Sequence, residues 1–300
     1  MLNVASSRLI ISEANTYNYG GLFQISEYWV MNMLNMESIM VGITTYNRKE
    51  ILDSYAKAFN NIVGIEKVHV CIFDDASTEY DRDYLCSIFP MAAYVHINNK
   101  NMGADRNTRQ LYEYFSRSEY DWLLNADSDL IFNSNILEVI TSIAQNTQGI
   151  FSVFNTPAHP TISVFDNIFV EKEHVGAAGV VVSRELVGKI LCSIPQRDVA
   201  FDWDFSSYIR SKNLKLLVTK QSFCQHIGFS GQNSRIHFDY GENFCIDNLD
   251  TANIIENIFE NIFCGDYYFI KSKLTLKEIM CVFKYIVINY LVHYLYKNDK

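Results

Sequence analysis

From Ser38 onward, apolar runs of strand length alternate with amphipathic helical segments, and the first four strand-like runs each end in a polar pair. SIMVGITTYN reads as a buried strand. Asn47 and Glu50 in the following N-R-K-E read as a capping box opening a helix with Ile51, Tyr55, Phe59 and Ile62 on one face. KVHVCIFDDAS is a second strand and AAYVHINN a third, followed near Asp105 by a helix carrying Leu111 and Phe115. YDWLLNADSD is a fourth strand, before the helix NILEVITSIAQ. Such alternation with short connections predicts an α/β fold with a mixed, mostly parallel sheet covered on both faces by helices. In sheets of this kind ligands bind at the carboxyl ends of the strands. Thr44 and Thr45, Asp74 and Asp75, Asn98 and Asn99, and Asp127 and Asp129 are therefore expected along one edge.

The second half is less regular. GIFSVFNT, TISVFDNIFV, GAAGVV and KLLVTKQ read as strands, Ser183 caps a helix through Ile190, FDWDFSSYIRSKNL reads as a helix, and QHIGFSGQNSR as a Gly-rich loop. We divide the chain into an N-terminal extension of unassigned role (1–37), an α/β domain (38–235) and a helical C-terminal region (236–300). The last contains TLKEIMCVFKYIVINYLVHYLYK, which opens on a Thr275/Glu278 capping box. Lys284, Asn289 and His293 inside that run argue against a membrane span. Its apolar face is expected to pack on its own domain or to form a homodimer contact, ahead of docking peripherally on a membrane.

A net charge of -9, with no basic run, argues against nucleic-acid binding by counterion release. If the ligand is anionic, something other than net charge must attract it. The seven cysteines include no C-x-x-C pair, so neither a disulfide framework nor a zinc site is indicated. With no basic segment followed by an apolar one at the N-terminus, a cytoplasmic location is expected, extending to the inner face of the membrane if the C-terminal helix docks there.

Asp127 and Asp129 carry the sharpest question. With 18 Asp in 300 residues about one D-x-D arises by chance, and the chain has three. Position decides: residues i and i+2 of an extended chain point the same way, roughly 6.6 Å apart. Two anions held so repel each other unless a cation or a proton stands between them. Hard oxygen ligands suit Mg²⁺ or Mn²⁺, which complete their shells with phosphate oxygens and water. A bridging dication would let an acidic protein hold a diphosphate.

Four segments in order, VGITTYNR, IFDDAS, NKNMGADRN and LLNADSDL, resemble the family-2 inverting glycosyltransferases with the Rossmann-like GT-A fold; later likeness rests on FDWDFSSYIR and QHIGFSG. The resemblance implies a metal-dependent enzyme, using Mn²⁺ or Mg²⁺, that moves a sugar from a nucleoside-diphosphate donor, foremost a UDP-sugar, to a hydroxyl. It further implies a glycan or lipid-linked glycan acceptor, in the synthesis of bacterial surface polysaccharide or glycoconjugate.

By the same resemblance Thr44 lines the nucleotide pocket and Asp75 accepts from the nucleobase. Asp127 contacts ribose and metal, Asp129 is the direct metal ligand of the D-x-D motif, and His226 reaches back to the diphosphate or metal. Asp202 matches the catalytic base, with Asp204 as rival because Phe201 stands where the family has Glu. The third motif is shortened, which leaves Arg106 and Arg109 both open as the pyrophosphate contact. Two rivals carry other expectations. A sugar nucleotidyltransferase would want a Gly-rich phosphate loop after the first strand, which ITTYNRKE lacks, and a silent binding scaffold would find Asp202 and His226 dispensable.

Overall fold

A computed structural model describes residues 35–197, 200–228, 240–244, 247–248, 251 and 253–255. The N-terminal extension to residue 34, most of the Gly-rich loop after Gly228 and the expected C-terminal helix lie outside the described residues.

The first four strands are β1 (Ile39–Thr45), β2 (His69–Asp74), β3 (Ala92–Ile97) and β4 (Trp122–Asp127). They lie in the order β3-β2-β1-β4, all parallel. Their connections carry α1 (Lys49–Phe59), α2 (Arg82–Ile88) and α3 (Ala104–Ser116). The sheet continues beyond β4 through β9 (Val180–Ser183), β6 (Ile150–Ser152), β10 (Leu217–Thr219), β8 (Phe169–Lys172) and β7 (Thr161–Val164). Here β9 runs antiparallel to both its neighbours, β6 and β10 are parallel, and β7 and β8 form an antiparallel pair. This mixed, mostly parallel sheet flanked by helices is the expected GT-A arrangement.

Each central strand is buried on both faces, which is why IMVGI and VCIF are near-continuous apolar runs rather than alternating ones. On one face pack Leu52, Tyr55 and Phe59 of α1, Leu85 of α2 and Ile136, Leu137 and Ile140 of α4 (Ile136–Ile143). On the other pack Leu111 and Phe115 of α3, Leu186 and Ile190 of α5 (Arg184–Ser193), and Phe205 and Ile209 of α6 (Phe201–Ser211). Gly42 in β1 admits α3 closely: a Cβ there would lie 2.4 Å from Leu111 Cδ1.

The structure corrects several expectations. The Asn47/Glu50 capping box does not form. Asn47 and Arg48 both take left-handed backbone angles, φ 48° and 56°, and the Asn47 Oδ1 accepts from the Thr78 amide instead. Ser183 does cap α5, accepting from the Leu186 amide, and the helix runs to Ser193 rather than Ile190. TISVFDNIFV is a hairpin of two strands rather than one, turned by Asp166, whose Oδ1 accepts from the Ile168 and Phe169 amides at 2.7 Å each.

The start of the Gly-rich segment is a strand. β11 (Cys224–His226) pairs antiparallel with β5 (Leu130–Phe132), placing His226 opposite Leu130, and the Ile227 amide donates to the Asp129 carbonyl. This two-stranded ladder delivers a late histidine to the D-x-D turn.

Candidate active site

The polar strand ends do gather along one edge, and each has a defined job. Asp74 caps the turn after β2: its carboxylate accepts from Thr45 Oγ1 at 2.8 Å and from the Ser77 amide and hydroxyl. Asp75 binds the next motif, accepting from Asn98 Nδ2 (2.9 Å) and the Met102 amide (2.8 Å) through Oδ1, and from the Gly103 amide (2.8 Å) through Oδ2. Gly103 has φ +90°, the left-handed region open to glycine, and so can turn its N–H inward. Asn107 completes the lattice, donating to the Phe73 carbonyl and accepting from Asn98. Asp75 thus reaches the strand edge already holding the N-M-G turn.

At the end of β4, Asp127 Oδ1 accepts from Thr44 Oγ1 at 2.6 Å and from Asn125 Nδ2 at 3.3 Å. Burial and the neighbouring Asp129 charge push Asp127 up to about 6, while the bond from Thr44 works the other way. Asp129 is held below the usual carboxylate range. Burial opposes that direction, but His226 and the Arg48 guanidinium outweigh it. Arg48 Nη1 stands 2.9 Å from Asp129 Oδ2, and His226 Nε2 stands 3.4 Å from the same oxygen. Gly228 closes over this group, since a Cβ there would lie 2.1 Å from Asp129 Oδ2.

The donor chemistry of Asp127, Asp129 and His226, two carboxylates and an imidazole, is of a kind that fits a hard dication. Among the described residues no three His, Cys, Asp or Glu side chains gather as a ready metal cage. The cation on Asp129 is Arg48.

The two arginines of the shortened third motif stand in different surroundings. Arg109 is buried, bonded to Glu113 Oε1 at 3.0 Å and to the Pro195 carbonyl at 3.0 Å, so it is committed to structure. Arg106 stands in the first turn of α3, half-buried. Asp105, just before Arg106, has a role that the sequence did not suggest. Its two oxygens accept from the Ala200 and Phe201 amides at 3.0 Å each, capping α6 from α3 where Ala200 offers no side-chain cap.

Both acids of the third D-x-D lie in the first turn of α6. Asp204 is gripped by Arg197 through both its oxygens, and its side chain is 14% exposed. Asp202 is 28% exposed; its Oδ1 accepts from the Trp203 amide, and its Oδ2 stands 3.7 Å from His174 Nε2. His174 lies flat beneath Trp203, ring centroids 4.0 Å apart, and meets His159 edge-on. Trp203 is 58% exposed. Of the two acids, Asp202 is the open one.

Asp127 thus ends β4, Asp129 stands in the turn that follows, and Asp202 lies in the first turn of α6. Residues 40–167 match the family described as Glycosyl transferase family 2, a little under half of the chain. The match supports a glycosyltransferase and bears out the resemblance over the segments that carry it. Among solved structures, S. aureus TarS 1–349 in complex with UDP is 13% identical and aligns over 80% of this chain and 76% of that one, TM-score 0.47. The mannosyltransferase PcManGT from Pyrobaculum calidifontis, in complex with GDP-Man and Mn²⁺, is 14% identical over 65% of this chain and 61% of that one, TM-score 0.44. Against another TarS 1–349 structure the chain spans 66% of that protein's length. No curated protein matches the chain.

Proposed function

We propose that the protein is a metal-dependent, inverting glycosyltransferase that moves a sugar from a nucleoside-diphosphate donor, UDP-linked in the first instance, to a hydroxyl of a glycan or lipid-linked glycan. The observation that carries this is the division of labour between two acid pairs. The pair at the end of β4 and in the turn after it, Asp127 half-buried and Asp129 buried, meets Thr44, Asn125, Arg48 and His226, whereas on α6 Arg197 takes Asp204 and leaves Asp202 more open.

In this reading Asp75 holds the N-M-G turn and turns Oδ2 toward the nucleobase, and Thr44 fixes the Asp127 rotamer. Asp127, Asp129 and His226 would hold a dication, which supplies positive charge to the leaving diphosphate. Arg106, at the start of α3, is the remaining candidate for the pyrophosphate. Asp202 takes the proton from the acceptor hydroxyl as its oxygen bonds to the anomeric carbon. The bond from that carbon to the diphosphate breaks in the same displacement, which inverts the centre. A positioned carboxylate base contributes about 10²- to 10⁴-fold.

Two variants separate the roles. Asp202→Asn is expected to lose transfer by that factor while binding UDP as the parent does, and Asp129→Ala to lose metal-dependent UDP binding. Parental turnover by Asp202→Asn would remove the base from Asp202, and Asp204→Asn is then the variant that must fail.

A further inference from the structure

We propose that Arg48 is an exchangeable counter-ion of the donor site: in the resting molecule it occupies the place on Asp129 that a dication requires, and on binding of metal and nucleotide it transfers to the diphosphate. This deepens the reading above and rests on it.

Geometry makes the two cations exclusive. Arg48 Nη1 and His226 Nε2 stand 2.9 Å and 3.4 Å from the same oxygen, Asp129 Oδ2. The backbone at Gly228 seals the pair, since a Cβ there would come within 2.1 Å of that oxygen and 2.8 Å of Arg48 Nη1. A dication joining Asp129 while Arg48 stayed would set like charges side by side in a poorly solvated place.

The arginine is fixed at its root, and its side chain is part-exposed. Asn47, one residue before it, donates its amide to Ser77 Oγ, accepts from the Thr78 amide, and receives the Tyr80 hydroxyl on its carbonyl. The Arg48 side chain is 31% exposed. A guanidinium displaced from a carboxylate finds an equivalent forked partner in a diphosphate. Metal alone must therefore evict Arg48 with nothing to receive it, whereas metal with nucleotide provides the recipient. The exchange couples the two ligands, and such coupling is reciprocal.

The test is Arg48→Gln, with Mn²⁺ binding measured by the electron paramagnetic resonance of the free ion, and UDP binding measured by calorimetry at saturating Mn²⁺. Without nucleotide the variant is expected to bind Mn²⁺ about tenfold tighter than the parent, and with Mn²⁺ present to bind UDP about tenfold more weakly. Lys49→Gln removes the same charge one residue away, from a lysine bonded to Asp53 and Tyr84, and is expected to change neither affinity by more than about twofold. Mn²⁺ affinity that is unchanged or weaker in Arg48→Gln overturns the exchange. If both proteins bind UDP and neither binds Mn²⁺, the metal role falls and the exchange with it. If neither binds UDP, the nucleotide reading itself has failed.

Discussion

The two acid pairs have one spacing and opposite environments. Asp127 ends a buried strand and Asp129 stands in the turn after it; Asp127 Oδ1 meets donors from β1 and β4, and Asp129 Oδ2 meets Arg48 from the turn before α1 and His226 from β11. Asp202 and Asp204 open a surface helix, held by Asp105 from α3, by Arg197, and by the stacked rings of His174 and Trp203. The proposed donor side is held by partners from distant strands and turns, the proposed base side by the α6 cap, the Arg197 pair and the ring stack. One spacing thus carries two different sets of partners.

The comparison can be broken from either side. The largest effect is expected on the donor side from Gly228→Ala, whose methyl group meets the buried Asp129 carboxylate, Oδ2 lying 2.1 Å from the new Cβ. Overpacking of this kind costs about 1–3 kcal/mol, and UDP binding should fall with it, as denaturant unfolding and calorimetry would show. Asp105→Ala probes the base side. It strands two backbone N–H groups at the start of α6, at about 1–3 kcal/mol. Transfer should fall while UDP affinity holds, whereas an equal loss of both would join the two sides into one unit.

Asp127→Asn tests the charge argument with opposite sign. A carboxyl raised to about 6 in the folded protein binds its proton there more tightly than in the unfolded chain. Its ionisation therefore weakens the fold as pH rises from about 4, the unfolded value, to about 6. The variant should be more stable than the parent at pH 7.5, by about 1–3 kcal/mol, with the gain fading as pH falls through that window. It should also lose metal-dependent nucleotide binding. A gain independent of pH would mean that Asp127 is not raised. The smallest effect on stability is expected from Trp203→Ala, within about 0.5 kcal/mol for an exposed side chain. Its consequence should appear in the acceptor KM rather than in UDP binding.

Much of this was legible in the sequence where local pattern and tertiary environment agree. The four parallel strands, their polar ends and the Ser183 cap follow from burial on both faces and from capping chemistry. The hairpin within TISVFDNIFV was not, because the Asp166 turn supplies no glycine or proline as punctuation. Asn47 misled because its side chain serves a neighbouring loop rather than its own helix. For the site, Asp127, Asp129, Thr44 and His226 meet as the motifs suggest. Asp105 and His174 were silent: one caps a helix 95 residues away, and the other acts by lying under a ring. The N-R sequence after β1 was the available signal for Arg48, read there as part of a helix cap.

The central claim is that Asp127, Asp129 and their partners hold a nucleoside diphosphate through a dication. The direct measurement is the thermal unfolding of the protein with UDP, GDP, CDP and dTDP, each with and without Mn²⁺. At a hundred times its Kd a ligand adds about 2.7 kcal/mol. The account predicts that at least one nucleotide raises the transition with Mn²⁺, UDP first, and that EDTA reverses the rise. A transition that no nucleotide moves, or one that moves equally in EDTA, would contradict it.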